Sequence, residues 1–270
     1  MERESIEYDV VVVGGGPSGL ASACRLKQLN PKLSVCLLEK GSEIGSHIIS
    51  GAVFEPETLF DLFPEEAKSC PTLKTSVVKD DLYWLTNSNK SIKVPSWMMP
   101  KSLHNKGNYI ISLGELCQWI AERAMDLGVD IFPGFPAQDY ITDKSGRVTG
   151  IATGDMGIDK EGNQKGTYTP GMDILAKQTI FAEGARGHLG KKLIKEFNLD
   201  EGKTPQHFAI GFKEIWEVDN NKHSPGDVVH TMGWPLTGET SGGGFLYHFD
   251  NNRIAVGLIV DLNYSNTHHS

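Results

Sequence analysis

The 270-residue chain is 39% hydrophobic and 22% charged, the balance of a folded protein, and it has room for one large domain or two smaller ones. Its net charge of −8, with no basic stripe to offset it, argues against a nucleic-acid partner. The longest apolar stretches, such as 10–13 and 254–260, are strand-sized, far short of the ~20 residues that cross a bilayer.

The N-terminus, MERESIEYDV, has no secretory apolar core and no transit-peptide character, which points to a bacterial-type cytoplasmic start. An apolar run at 8–13 then reads as a buried parallel strand. It leads directly into Gly14-Gly15-Gly16-Pro17-Ser18-Gly19, and LASACRLKQL continues as a helix that stops before Asn30-Pro31. The G-x-G-x-x-G frame is therefore Gly14, Gly16 and Gly19. The first permits the tight turn, the second a close approach of backbone to a pyrophosphate, and the third close packing of helix on strand. Pro17 and Ser18 open the helix, whose N-terminal amides favour negative charge. LSVCLLEK reads as a second strand ending in Glu39, followed by Lys40. A carboxylate there can accept hydrogen bonds from both ribose hydroxyls of a dinucleotide and would repel a 2′-phosphate.

A Gly/Ser-rich loop, GSEIGSHIISGAVFEP, follows in place of another short strand–helix repeat, and its backbone suits a flat ring. Further on, PETLFDLFPEEAKSCP is expected to form one amphipathic helix. DDLYWLTNSNKSIKV then reads as a hairpin turning at Asn87-Ser88-Asn89. Trp97, Met98 and Met99 lie between Pro95 and Pro100, so they cannot occupy the middle of a regular element. Two readings stand open: a loop folded back on the core, or a contact with a membrane surface through an interfacial Trp and nearby cations.

ISLGELCQWIAERAMDLG has helical spacing with a capping-box pattern at Ser112 and Glu115, and 129–132 is the next parallel strand. The turn-dense stretch 148–182 reads as a β-meander, whose acidic residues are hairpin surface rather than a calcium loop. It ends in a strand, Glu183-Gly184-Ala185-Arg186-Gly187, and an amphipathic helix. This second turn resembles the downstream motif of flavoproteins of the glutathione-reductase-like and aromatic-hydroxylase-like class. Two such turns separated by a long insertion favour FAD over NAD. From Pro205 onward the chain is strands alone, expected as an antiparallel sheet. Cys24, Cys36, Cys70 and Cys117 lack C-x-x-C spacing and are expected to be buried free thiols. They offer no setting for an iron–sulfur cluster, and no metal site is expected.

The blocks VVVVGGGPSGLASACRL, LEKGSEIGSHIISGAVFEP, NKGNYIISLGEL, TIFAEGARGHLGKKL, GFKEIWEV, HTMGWPL and GGGFLYHF, in this order, resemble the electron-transfer flavoprotein–ubiquinone oxidoreductase family over nearly the whole chain. The resemblance implies an α/β plus β architecture. A Rossmann-like FAD-binding domain (parallel sheet, helices and β-meander) would span 1–204, with a membrane-contacting insertion at 54–108. The start of an antiparallel-sheet ubiquinone-binding domain would span 205–270. It implies that Gly14, Gly16, Pro17, Ser18, Gly19, Glu39 and Lys40 hold the ADP half of FAD, that Ser50, Gly51 and Ala52 lie near the isoalloxazine ring, and that Glu183, Gly184 and Arg186 support the flavin side. Gly242 and Gly243 would offer backbone to ubiquinone, against the plainer reading of a bend in a strand. Trp97, Met98 and Met99 would touch the membrane.

The implied reaction passes electrons from reduced electron-transfer flavoprotein through FAD to ubiquinone. It needs no acid–base triad or nucleophile. The implied location is peripheral, on the cytoplasmic side of a bacterial inner membrane, or the matrix side of the mitochondrial inner membrane in a eukaryote. Two alternatives are a geranylgeranyl-reductase-type flavoprotein acting on isoprenoid lipids and a non-catalytic flavin-binding fragment. Family members are longer and carry cysteines for a 4Fe–4S cluster and a later glycine-rich segment. Neither is in this sequence, which is therefore expected to be a truncated piece of the family's chain.

Overall fold

The computed structural model describes residues 3–49, 52–236 and 240–263. They form two compact units, each assembled from two segments of the chain.

The first unit comprises Met1–Ile48 and Gly114–Lys203. Its six-stranded sheet runs in the order Val129–Pro133, Val35–Glu39, Ser5–Val13, Asp173–Phe181, Val148–Thr153, Ala137–Thr142. The first four strands are mutually parallel and the last two are added through antiparallel pairings, which is the anticipated parallel sheet extended by the meander. Every residue of 10–13 and 35–38 is buried, as expected for strands covered on both faces. Val11, Val13, Cys36 and Leu38 pack with Ile151, Ile174 and, from helix His188–Glu196, Leu189 and Leu193. The alternate residues Val10, Val12, Val35 and Leu37 are also buried, as are Leu20, Ala23 and Cys24 of helix Pro17–Leu29. Helix Leu113–Asp126 matches its expected span. Met156–Ile158 and Gln164–Thr169 form the surface hairpin read from the sequence, its turn held by the Asp159 carboxylate accepting from the backbone of Glu161 and Asn163.

The second unit comprises Ile49–Leu113 and Thr204–Ser270. Its main sheet has the order Ala209–Glu217, Arg253–Asp261, Gly242–His248, Asp227–Gly233, Lys79–Asn87, Lys90–Val94. The sequence counted 54–108 with the first domain, but its hairpin joins this sheet. Lys79–Asn87 pairs in parallel with Asp227–Gly233, the one parallel joint in a sheet otherwise antiparallel. A pairing between strands this far apart in sequence has no local signature. A three-stranded sheet of Ala52–Phe54, Tyr109–Ile111 and Thr75–Ser76 accompanies it.

The single helix expected after Pro56 is two shorter pieces, Glu57–Leu62 and the 3-10 turn Glu66–Ser69. Pro64 is the reason: it forces Phe63 out of the helical region, to φ −134° and ψ 76°. All four cysteines are free and buried as expected, and burial pushes the Cys24 and Cys36 thiols up to about 12. Among the described residues, no helix is long and apolar enough to cross a membrane.

Candidate functional site

The glycine turn lies at the C-terminal end of the first strand, where open parallel sheets bind ligands. Gly14 has φ +112°, and a Cβ there would stand 2.3 Å from the Ala182 carbonyl oxygen. A Cβ at Gly19 would stand 2.0 Å from the Gly14 carbonyl oxygen, so the helix approaches the strand only because both are glycine. Gly16 differs: nothing lies within 4 Å of a Cβ built there. It caps a helix whose first turn has Pro17, no acidic residue and no side-chain cap, which leaves this amide end open to an anion.

Glu39 does more than end its strand. Its Oε2 accepts from the Gly15 amide at 2.8 Å and its Oε1 from the Gly41 amide at 2.7 Å, so the carboxylate ties the glycine turn to the loop after the second strand. Each oxygen keeps a further lone pair for a ribose hydroxyl. Gly15, an unassigned position of the motif frame, proves constrained: a Cβ would meet Ile44 Cδ1 at 2.6 Å and Glu39 Oε2 at 3.0 Å. The run of three consecutive glycines was the only signal for it. Lys40 is exposed.

The second turn stands beside the first. Val13 pairs with Phe181, and the Ala182 amide donates to the Val13 carbonyl at 2.8 Å, so 14–19 and 183–187 leave adjacent parallel strands at the same end. Gly184 has φ +80° with open space around it, and Arg186 is exposed. The Glu183 carboxylate is turned to the following helix, where Oε2 accepts from the Gly190 amide at 2.7 Å and Oε1 from the Leu189 amide at 3.3 Å. It thus occupies the positive end of that helix itself and holds the turn. Ser50 and Gly51 lie outside the described residues, and Ala52 opens a strand of the second unit.

In the second unit, Gly242 and Gly243 begin a strand in regular register, without a bulge. A Cβ at Gly242 would meet the Ile259 carbonyl oxygen, and one at Gly243 the Thr231 carbonyl oxygen, each at 2.2 Å. The membrane trio is split. Trp97 is 82% and Met98 59% exposed, whereas Met99 is 7% exposed. This corrects the reading of Met99 as a surface contact: the 3-10 turn Ser96–Met98 sends it inward while the residues before it stay out. Trp84 and Ile92, paired across the hairpin, are exposed as well.

Sequence reasoning missed one polar cluster altogether. His230 Nε2 lies 2.8 Å from Tyr247 Oη, and His230 Nδ1 faces Asp80 Oδ1 at 4.0 Å. These residues share a face only through the register of three strands, so no local spacing announces them.

Parallel sheet, glycine turn and second β-unit make a fold shared with solved FAD-dependent enzymes. A geranylgeranyl bacteriochlorophyll reductase-like protein from Thermoplasma acidophilum superposes with a TM-score of 0.63 at 21% identity, covering 96% of this chain and 58% of that one. The myxobacterial FAD-dependent halogenase CndH superposes with a TM-score of 0.61 at 15% identity, covering 95% and 53%. Residues 12–65 match the family model described as NAD(P)-binding Rossmann-like domain, and residues 208–270 the model described as ETF-QO, ubiquinone-binding.

Sequence relatives narrow the class. The chain is 57% identical to the electron transfer flavoprotein-ubiquinone oxidoreductase of Pseudomonas aeruginosa, over 99% of this chain and 50% of that protein. It is 44% identical to the mitochondrial protein of that name from Bos taurus, over 98% of this chain and 44% of that one. The resemblance to electron-transfer flavoprotein–ubiquinone oxidoreductases therefore extends along the whole chain, which spans about half the length of these curated relatives.

Proposed function

We propose that this chain carries the FAD site and part of the quinone site of an electron-transfer flavoprotein–ubiquinone oxidoreductase. The observation that supports it most is the joint presence of 57% identity to the Pseudomonas aeruginosa enzyme and a first unit whose two turns leave neighbouring strands at one end. The open space at Gly16 and the uncapped helix end fit a pyrophosphate, and the fixed carboxylate of Glu39 fits a ribose. When bound, FAD supplies the electron-transfer chemistry, taking electrons that originate in reduced electron-transfer flavoprotein and giving them to ubiquinone. The chain's residues bind and orient: Gly14, Gly16, Pro17, Ser18, Gly19 and Glu39 for the ADP half, Gly184 and Arg186 for the flavin half, and Gly242 and Gly243 for the quinone. Pro17 and Ser18 act through their position in the helix's first turn. Trp97 and Met98 seat the protein on the membrane surface that holds ubiquinone, as a peripheral protein of the bacterial inner membrane or its mitochondrial counterpart. The 4Fe–4S cluster of longer family members has no role assigned in this chain.

The test is reoxidation of the reduced, FAD-loaded chain by a short-chain ubiquinone analogue against an isoprenoid lipid. Reoxidation by the quinone is expected. Reaction with the isoprenoid alone would replace this reading with the geranylgeranyl-reductase type.

A further inference from the structure

The buried face of the second sheet holds polar groups that the assignments above leave unused. Val228 pairs with both Asp80 and Tyr247, and His230 with both Leu82 and Phe245, so Asp80, His230, Phe245 and Tyr247 share one face, and strand alternation adds Gly243. Their surroundings are apolar: Val228, Phe245, Phe249 and Ala255 are buried there, and the Tyr247 ring stacks on Phe245 at 4.7 Å. Asp80 Oδ2 accepts from the backbone and side-chain amides of Asn105, at 2.7 and 3.2 Å. Asp80 Oδ1 and His230 Nδ1 are both buried without a hydrogen-bond partner in the protein, and they face each other at 4.0 Å.

This arrangement has two hydrogen-bond states. In the neutral imidazole, the carboxylate keeps the proton on Nδ1, and Nε2 accepts from the Tyr247 hydroxyl. In the imidazolium, Nε2 carries a proton and donates to Tyr247 Oη, while Asp80 balances the charge. The tyrosine proton is then released from His230 and can be donated elsewhere on the face. Burial lowers the proton affinity of His230 and the Asp80 carboxylate opposes that shift, whereas burial pushes Tyr247 up to about 12, so the phenol stays protonated in both states. From the other strands packed on this face, Lys213 lies over the Phe245 ring at 5.1 Å, its ammonium disfavoured by burial. Asp81 and Lys93 belong to the opposite face.

We propose that Tyr247 is a proton-gated hydrogen-bond donor to a carbonyl oxygen of a quinone lying on this face, with His230 as the gate and Asp80 as its counter-charge. The inference rests on the quinone reading above. Because the loaded state binds the carbonyl better, quinone affinity rises as pH falls through the titration of His230. By reciprocity, bound quinone raises the pH at which His230 titrates. One neutral hydrogen bond sets the scale at about two- to tenfold.

The test uses the full chain with a short-chain ubiquinone analogue, measuring affinity from pH 5 to 8 and the His230 ring titration by NMR. The unmodified chain is expected to bind about two- to tenfold more tightly at the acidic end, with His230 titrating at higher pH in the complex. Tyr247→Phe is expected to flatten the pH dependence of affinity, and Asp80→Asn to move the His230 titration to lower pH. Quinone binding that leaves the His230 titration unmoved would overturn the gate alone. An unmodified chain that binds no quinone at any pH would overturn the quinone reading and the gate with it.

Discussion

Gly14 and Gly16 stand two residues apart in one motif and are constrained in opposite ways. At Gly14 a side chain would collide with the Ala182 backbone and strain a φ of +112°. At Gly16 the backbone is extended, with φ −81° and ψ −179°, and the space is open. Gly14→Ala is therefore expected to lower unfolding stability by about 1–3 kcal/mol in a denaturant titration. Gly16→Ala is expected to leave stability within about 0.5 kcal/mol and to weaken FAD binding at least tenfold. Equal stability losses would mean that the two glycines share one structural role. The tight turn at Gly14 and the close packing at Gly19 were legible in the sequence because each is set by a strand, a turn and a helix contiguous in the chain. The fixing of Glu39 by Gly15 and Gly41 was not, nor was the Asp80–His230–Tyr247 cluster, because both depend on side chains meeting across elements.

Strands are tied together at one charged point that pH can probe. Asp9 Oδ1 accepts from Lys177 Nζ at 2.7 Å, and its Oδ2 accepts from the Ser34 amide and hydroxyl at 2.9 and 3.0 Å, joining strand Ser5–Val13 to strand Asp173–Phe181 and to the approach of Val35–Glu39. The Lys177 hydrogen bond, followed by those of Ser34, holds the Asp9 carboxyl down at about 2. A depressed folded-state value means that its stabilisation is complete above the ordinary carboxylate range and is lost as pH falls from about 4 to about 2. Thermal unfolding across that range should show a smaller acid loss in Asp9→Asn than in the unmodified chain, and identical profiles would remove Asp9 from the account. Elements with a strong local pattern, the helical spacing of Leu113–Asp126 and the unbroken apolar run at 10–13, could be read directly. The break at Pro64 was equally present in the sequence, and the expected long helix gave it too little weight against the apolar pattern around it.

For the whole molecule, the 79–94 hairpin was read correctly as a hairpin but counted with the wrong domain, because its parallel partner lies far along the chain at 227–233. That placement puts the exposed pair Trp84 and Ile92 in the same unit as the exposed Trp97 and Met98, and exposed Trp and Met are residue types that can seat at a lipid headgroup boundary. Replacing Trp97 and Met98 by Ser is expected to abolish liposome sedimentation without loss of stability. Met99→Ser, at a buried site, is expected to cost about 2–4 kcal/mol of stability and to spare sedimentation of the folded fraction. Liposome binding unchanged by the double replacement would show that this surface faces something other than lipid.

The electron-transfer reading requires a flavin dinucleotide at the adjacent turns 14–19 and 183–187. Titrating the apo chain with FAD, followed by quenching of flavin fluorescence, measures that occupancy directly. One equivalent should bind, with NAD failing to compete and Gly16→Ala shifting the curve to higher FAD. A folded chain that takes up no FAD, or that prefers NAD, would contradict the assignment at its base.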